Sequence, residues 1–336
     1  MNQMANMLAR GEKKPHQLGY ASSEELKRRT PLQKFILNFK RNWQLHLMIA
    51  VPVLYLFLFS YLPMYGIQIA FRQYTIKGGI TTSPWVGLEQ FFRFFADRKW
   101  SQYVGNTLTI SLYSLAAGFP IPIVLALFLH VNEHPVLKKI TQNVSYIPHF
   151  ISVVVLVGIL NQIVKPFNGL IATIMSQFGG SLNNDIRINP QAFYHLYVWS
   201  GVWQGMGWSA IMYVAALAGV PMELHEAAKI DGASRWRRVL SVDLPAIMPT
   251  ICILLILRFG SIMSVGHEKV FLMQYSNNMS KSQVISTYVY RVGLSKASNY
   301  SFGSAVGLMN SVINTSMVLF VNWVTNKLSD GEAGLF

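Results

Sequence analysis

Six stretches of this chain stay apolar long enough to cross a hydrocarbon core, which takes about 20 residues of helix. They fall at 46–71, 107–130, 143–164, 193–219, 246–266 and 302–325. The fourth and sixth are dotted with Gly, Ser, Asn and Trp, the pattern of spans lined by other protein. Ahead of the first span, Leu32, Phe35, Ile36 and Phe39 recur at i, i+3, i+4, i+7 among three basic residues between Pro31 and Trp43. That spacing predicts an amphipathic interfacial helix leading into the membrane. The expected organisation is an arm (1–45), a six-span domain (46–325) and a short tail (326–336), all-α throughout.

Composition strengthens this picture. Of 336 residues, 52% are apolar and 12% charged, half the roughly 25% of an ordinary soluble domain, and mean hydropathy is +0.33. A disordered chain and a disulfide scaffold are excluded. A net charge of +14 would raise nucleic-acid binding in a soluble protein. Here the charges lie between apolar blocks, so no nucleic-acid partner is expected and the balance speaks to orientation. The single cysteine, Cys252, sits in an apolar run, so neither an intrachain disulfide nor a thiolate metal cluster can be built.

Residues 1–45 hold nine Lys and Arg against three acids, and no apolar h-region precedes them, so no cleavable signal peptide is expected. The positive-inside rule places this end in the cytoplasm, and six crossings return the C-terminus to the same side. The segments on the arm's side carry 16 Lys and Arg against 11 on the other. Most of that difference comes from the arm.

The loop between spans four and five, 220–245, reads VPMELHEAAKIDGASRWRRVLSVDLP and holds four charges of each sign. Two short helices joined at Gly232, with a second break at Pro245, are the natural prediction. Glu223 and Glu226 suit the positive end of the first helix, Gly232 can take positive φ, and Ser234 can cap the second helix. On that second helix Trp236, Val239 and Leu240 form an apolar side, with Arg235, Arg237 and Arg238 mostly on the other. Trp and Arg are enriched in interface hot spots, which points to a docking element; a solvated loop anchored by its Trp is the plainer alternative.

Glu226-Ala227-Ala228, three residues, Gly232, nine residues, Val242, one residue, Leu244-Pro245 resembles the EAA motif of permease subunits in binding-protein-dependent ABC importers. That motif usually has Ile where Val242 stands. The resemblance extends over roughly 40–325 and includes SYLPMYGIQIAF (60–71), WVGLEQFF (85–92), YIPHFIS (146–152) and STYVYRVGL (286–294). These look like the maltose-type carbohydrate permeases, in the branch for polysaccharide-derived oligosaccharides. The resemblance implies a type I ABC importer permease fold, a second homologous permease, two ATPase subunits that use ATP and Mg, and an extracytoplasmic solute-binding protein. It implies that the EAA helix sits in a cleft of the ATPase, with Glu226 paired to a basic residue there and Gly232 setting the angle between the helices. Glu226, Ala227, Ala228, Asp231, Gly232, Trp236, Arg237, Leu244 and Pro245 are the expected coupling residues.

The chain lacks G-x-x-x-x-G-K-[ST], H-E-x-x-H and G-x-S-x-G, so P-loop, metalloprotease and esterase chemistry have no sequence support. No catalytic residue, metal ligand or bound cofactor is expected of this chain. A path for solute is another matter. Arg258, near the middle of the fifth span, costs about 2.5–3.5 kcal/mol on insertion scales, so it must face protein or water. It either attracts an acidic or polyhydroxy substrate or bonds to another helix. Gly303, Gly307, Asn310 and Asn314 share a stripe that suits either close packing or sugar hydroxyls. Trp199 reads as interfacial belt and Trp203 as the better path candidate, between Gly201 and Gly205. Pro148, beside His149, removes a backbone donor and predicts a hinge or static kink; His149 is counted with the path. The outer loops carry Arg72, Lys77, Arg93, Arg98, Lys99, Lys269, Lys281, Arg291 and Lys296 against three acids. Such a rim would steer an acidic partner or substrate, or be ordinary membrane-flanking charge. A permease of this architecture for amino acids, phosphate or metal, or a membrane sensor, are the alternatives.

Overall fold

The computed structural model describes residues 39–295 and 299–328, together with Thr30 and Gly334. The expected interfacial helix therefore lies almost wholly outside the described residues, as do most of the arm and tail and Lys296. The chain divides into two compact units, Met1–Gly66 and Ile67–Phe336. In the first, α1 (Trp43–Leu56) opens a candidate span that reads continuously from Trp43 to Phe71. It contains Pro52 and no acid or base in its end turns.

The second unit begins with the tail of that span, then a short helix α2 (Glu89–Ala96) whose Phe94 is fully buried. α3 (Trp100–Gly118) and α4 (Pro120–Val131) form one 32-residue span. Pro120 at the start of α4 is tolerated because the first-turn N–H groups have no intrahelical partner. α5 (Pro135–Tyr146) leads through a 3-10 turn at Ile147–Phe150 into α6 (Val153–Ile163), with a bend of 106° between the two halves. The single span expected over 143–164 is thus a broken one. Pro148 starts the 3-10 turn, Ser152 caps α6 by accepting from the Val155 N–H, and the Gln204 side chain donates to the Ile151 carbonyl at 2.8 Å. Each group freed by the bend that these side chains reach is repaired locally.

α7 (Pro190–Ala218) is a 29-residue helix that packs against α3, α4 and α5. At Gly207 it comes so close to α5 that a Cβ would run into the Ser145 carbonyl. α8 (Met222–Ile230) follows at 73° to it. α9 (Arg235–Arg238) continues through a π turn, Val239–Asp243, into α10 (Met248–Phe259), so that Arg235–Phe259 reads as one span. The break expected at Pro245 does not occur. The π turn immediately before it widens the helix, which accommodates a ring that cannot donate and would crowd an α-helical carbonyl. The same span ends seven residues earlier than predicted, at Phe259, and 260–266 is irregular. Beyond it lie α11 (His267–Leu272) and the last span, in α12 (Tyr300–Leu328).

Among the described residues four helices are long and apolar enough to cross a membrane, or up to six spans if each bent pair counts as one. Among the described residues no strand is present beyond two isolated bridges, Arg72 with Trp85 and Thr75 with Gly79. Apolar side chains cluster in three cores in the second unit. One sets Phe94, Tyr103, Ile285 and Phe302 together, a second joins Ile110, Phe193 and Val270, and the third joins Ala126, Tyr213 and Ile247. Many large apolar residues remain exposed, among them Leu112, Phe128, Trp208, Phe320 and Trp323, as expected of surfaces that meet lipid or another membrane chain.

Candidate functional site: a cationic cavity and an exposed EAA loop

A cavity of about 350 Å³ opens between α3, α7, the end of α10 and the irregular segment before α11. Small residues make the room: Gly118, Gly201 and Gly205 line it beside five serines and Gln204. Among the described residues its charged lining is Arg258 and Lys269, with no Asp or Glu. The Arg258 guanidinium is exposed within the second unit and donates to the Ser209 hydroxyl at 3.5 Å. Lys269 is held more firmly. Its ammonium donates to the Tyr197 carbonyl at 2.8 Å and lies 4.6 Å from the centre of the Tyr197 ring. Burial lowers its pKa to about 8, because desolvation disfavours the charged amine.

The sequence counts Lys269 only as one charge on an outer rim. The break at Gly260 turns the chain so that α11 brings this lysine to the cavity that Arg258 lines. Of the other rim residues, Arg93 lies over Phe302, Lys281 over Tyr194, and Arg72 donates to the Thr81 and Ser83 carbonyls. These cations serve packing as well as the surface field. Asn314 accepts from the Met263 N–H at 3.0 Å and donates to the Ser264 hydroxyl at 2.9 Å, so it pins the segment that forms one cavity wall. Asn310 keeps a buried amide oxygen without a hydrogen-bond partner. His149 stacks almost parallel on Trp208 at 4.3 Å, and Trp203 is 44% exposed; neither lines the cavity. Trp199 donates to the Tyr113 hydroxyl at 2.9 Å, tying α7 to α3. Gln204 has no signal in the sequence beyond being a polar residue in a span.

The EAA loop is built from its own short-range bonds. Gly232 adopts φ +75°; its N–H reaches the Lys229 carbonyl, and the next N–H, of Ala233, reaches back to Ala228 at 2.9 Å. This pair of bonds is a Schellman motif, which needs a residue in the left-handed region just past the helix. Ser234 then caps α9 by accepting from the Arg237 N–H. Glu226, Asp231, Trp236 and Arg237 are all exposed, and among the described residues no ion pair involves Glu226, Asp231 or Arg237. Exposed apolar neighbours, Met222, Ile230, Trp236 and Leu240, surround them. The predicted apolar side of α9 divides, with Val239 buried and Trp236 and Leu240 outward. Leu244 is half-buried and Pro245 exposed.

Apolar spans, a polar cavity between them and a charged, structured loop at fixed spacing together mark a membrane transport subunit. Residues 118–330 match the family described as "Binding-protein-dependent transport system inner membrane component", and the chain belongs to that family. It is 37% identical over 304 residues, 90% of this chain and 94% of the relative, to the polygalacturonan/rhamnogalacturonan transport system permease protein YteP of Bacillus subtilis (strain 168). The protein LplB of the same organism is 36% identical over 297 residues, covering 88% and 92%. The crystal structure of a bacterial ABC transporter involved in the import of the acidic polysaccharide alginate contains a chain that superposes with a TM-score of 0.79. It is 34% identical, with 88% of this chain and 99% of that one covered. A bacterial alginate ABC transporter in complex with an alginate pentasaccharide-bound periplasmic protein matches similarly, at TM-score 0.80 and 33% identity over 89% and 98% of the two chains. The fold is that of a type I ABC importer permease.

Proposed function

We propose that this chain forms part of the translocation path for an acidic, uronate-type oligosaccharide, delivered by an extracytoplasmic binding protein. A second homologous permease would complete the path, and two ATPase subunits would drive it through residues 222–243, with both termini cytoplasmic. The observation that carries this reading is the cavity lined by Arg258 and Lys269 with no carboxylate among its lining residues. Two cations beside serine hydroxyls and an amide match a ligand with carboxylates and hydroxyls. The names of the relatives and of the solved neighbours, which handle galacturonans and alginate, support the same substrate class. ATP-driven closure of the partner would push on α8 and rock the later spans between inward- and outward-open states.

The test is ATPase activity of the complete importer in lipid, with its binding protein loaded with uronate or neutral oligosaccharides. Stimulation by uronates is expected. A charge-assisted hydrogen bond contributes about 1.5–3 kcal/mol, so Arg258→Ala should weaken the apparent uronate affinity about tenfold or more, with a smaller change for any neutral sugar. Equal loss on both classes, or stimulation by neutral sugars alone, would refute the acidic-substrate reading.

A further inference from the structure

Beside the EAA loop three side chains from separate elements meet. His130 stands in the last turn of α4, His225 on α8, and Asp243 ends the π turn that leads into the fifth span. Nε2 of His130 lies 3.4 Å, and Nε2 of His225 3.2 Å, from the same carboxylate oxygen, Oδ1 of Asp243. The three ligand atoms all fall within 4.8 Å of one another. The Asp243 side chain is 2% exposed. Despite these distances Oδ1 of Asp243 and Nε2 of His225 are buried without a hydrogen-bond partner, so the atoms approach one another without donor–acceptor alignment.

A buried carboxylate in that position is costly unless a positive group satisfies it. An Nε2–H on each imidazole would serve both contacts only if aligned on the carboxylate, which neither is; a dication placed among the three atoms serves all of them at once. Ligands about 2.0–2.1 Å from a tetrahedral zinc ion are separated by about 3.3 Å, close to both measured contacts. We propose that His130, His225 and Asp243 form a binding site for a transition-metal dication of the zinc class, with water as the fourth ligand. Imidazole and carboxylate donors suit zinc and its neighbours in the first row rather than Mg or Ca. His130, 29% exposed, leaves the side from which ion and water enter. The bound ion would fasten α8 and the π turn to the end of α4. The exposed Glu133–Arg235 pair, at 3.1 Å, already links the turn after α4 to α9 but contributes little by itself. The site stands on these three side chains whatever solute the protein carries.

The experiment uses the full chain, assembled with its partners and carrying no polyhistidine tag, stripped with chelator and equilibrated with zinc alone. One tightly held zinc per chain is expected by elemental analysis. Cobalt in its place should show the strong visible absorption of a four-coordinate ion. His130→Gln and His225→Gln, at partly exposed positions, should each weaken zinc binding roughly tenfold or more, by analogy with the losses seen when ligand support is removed. Zinc should raise the thermal midpoint of the wild type more than that of either variant at the same zinc concentration, since an ion that binds only the folded state stabilises it in proportion to its affinity. Asp243→Asn provides a third variant at the buried ligand. Absence of bound zinc, or zinc bound equally by wild type and both histidine variants, would overturn the site.

Discussion

Lys269 shows how one side chain acquires a property from its surroundings. In solvent its amine titrates near 10.4; at the cavity burial brings it to about 8. Between those values the folded chain binds fewer protons than the unfolded one, so stability rises with pH through that window. The opposite holds for ligand attraction, because deprotonation removes one of the cavity's two positive charges. Apparent affinity for a uronate oligosaccharide is therefore expected to fall between pH 7 and pH 9, and to be flat over that range in Lys269→Met. A wild-type profile as flat as the variant's would remove Lys269 from solute binding. Arg258 was legible in the sequence because an arginine in an apolar span demands an explanation. Lys269 was not, because a lysine in a loop does not.

At the scale of elements, the EAA loop was the most legible part of the chain. Its turn depends on residues within six positions of one another: the Ala228 and Lys229 carbonyls, the Gly232 and Ala233 N–H groups and the Ser234 cap. Nothing lies within 4 Å of where a Cβ would stand at Gly232, so only its φ constrains the position. An L-residue in the left-handed region costs about 1–2 kcal/mol, and proline, locked near −65°, is excluded outright. Gly232→Pro should insert into the membrane normally yet lose the coupling of ATP hydrolysis to uptake. Uptake at the wild-type rate would sink the coupling role of this turn. The broken third span was legible only in part. Pro148 marks the place, but the 106° bend also depends on Gln204, which comes from α7 to satisfy the Ile151 carbonyl. Pro245 was misleading for a related reason, since a π turn upstream absorbs the proline that by itself reads as a break.

For the whole molecule, the orientation inferred from the basic arm is open to a direct test. With Cys252 replaced by alanine, a cysteine at Lys77 should react with a membrane-impermeant thiol reagent in intact cells, whereas one at Lys327 should react only after the membrane is opened. The reverse pattern would invert the topology and move the EAA loop to the outer face. The all-α class, the apolar blocks that become the candidate spans, the EAA turn and the family resemblance are legible in the sequence alone. All of these follow from hydropathy over about 20 residues or from spacing within one loop, where the interacting groups are near neighbours along the chain. Which polar residues share a space is settled by packing between elements. Arg258 and Lys269 line one cavity because the helix ends at Phe259, and Asn314 on α12 holds the following segment in place. His130, His225 and Asp243 converge because the end of α4 packs on the π turn and α8 brings His225 to the same carboxylate. Such meetings are set by packing between distant elements, and no local spacing encodes them.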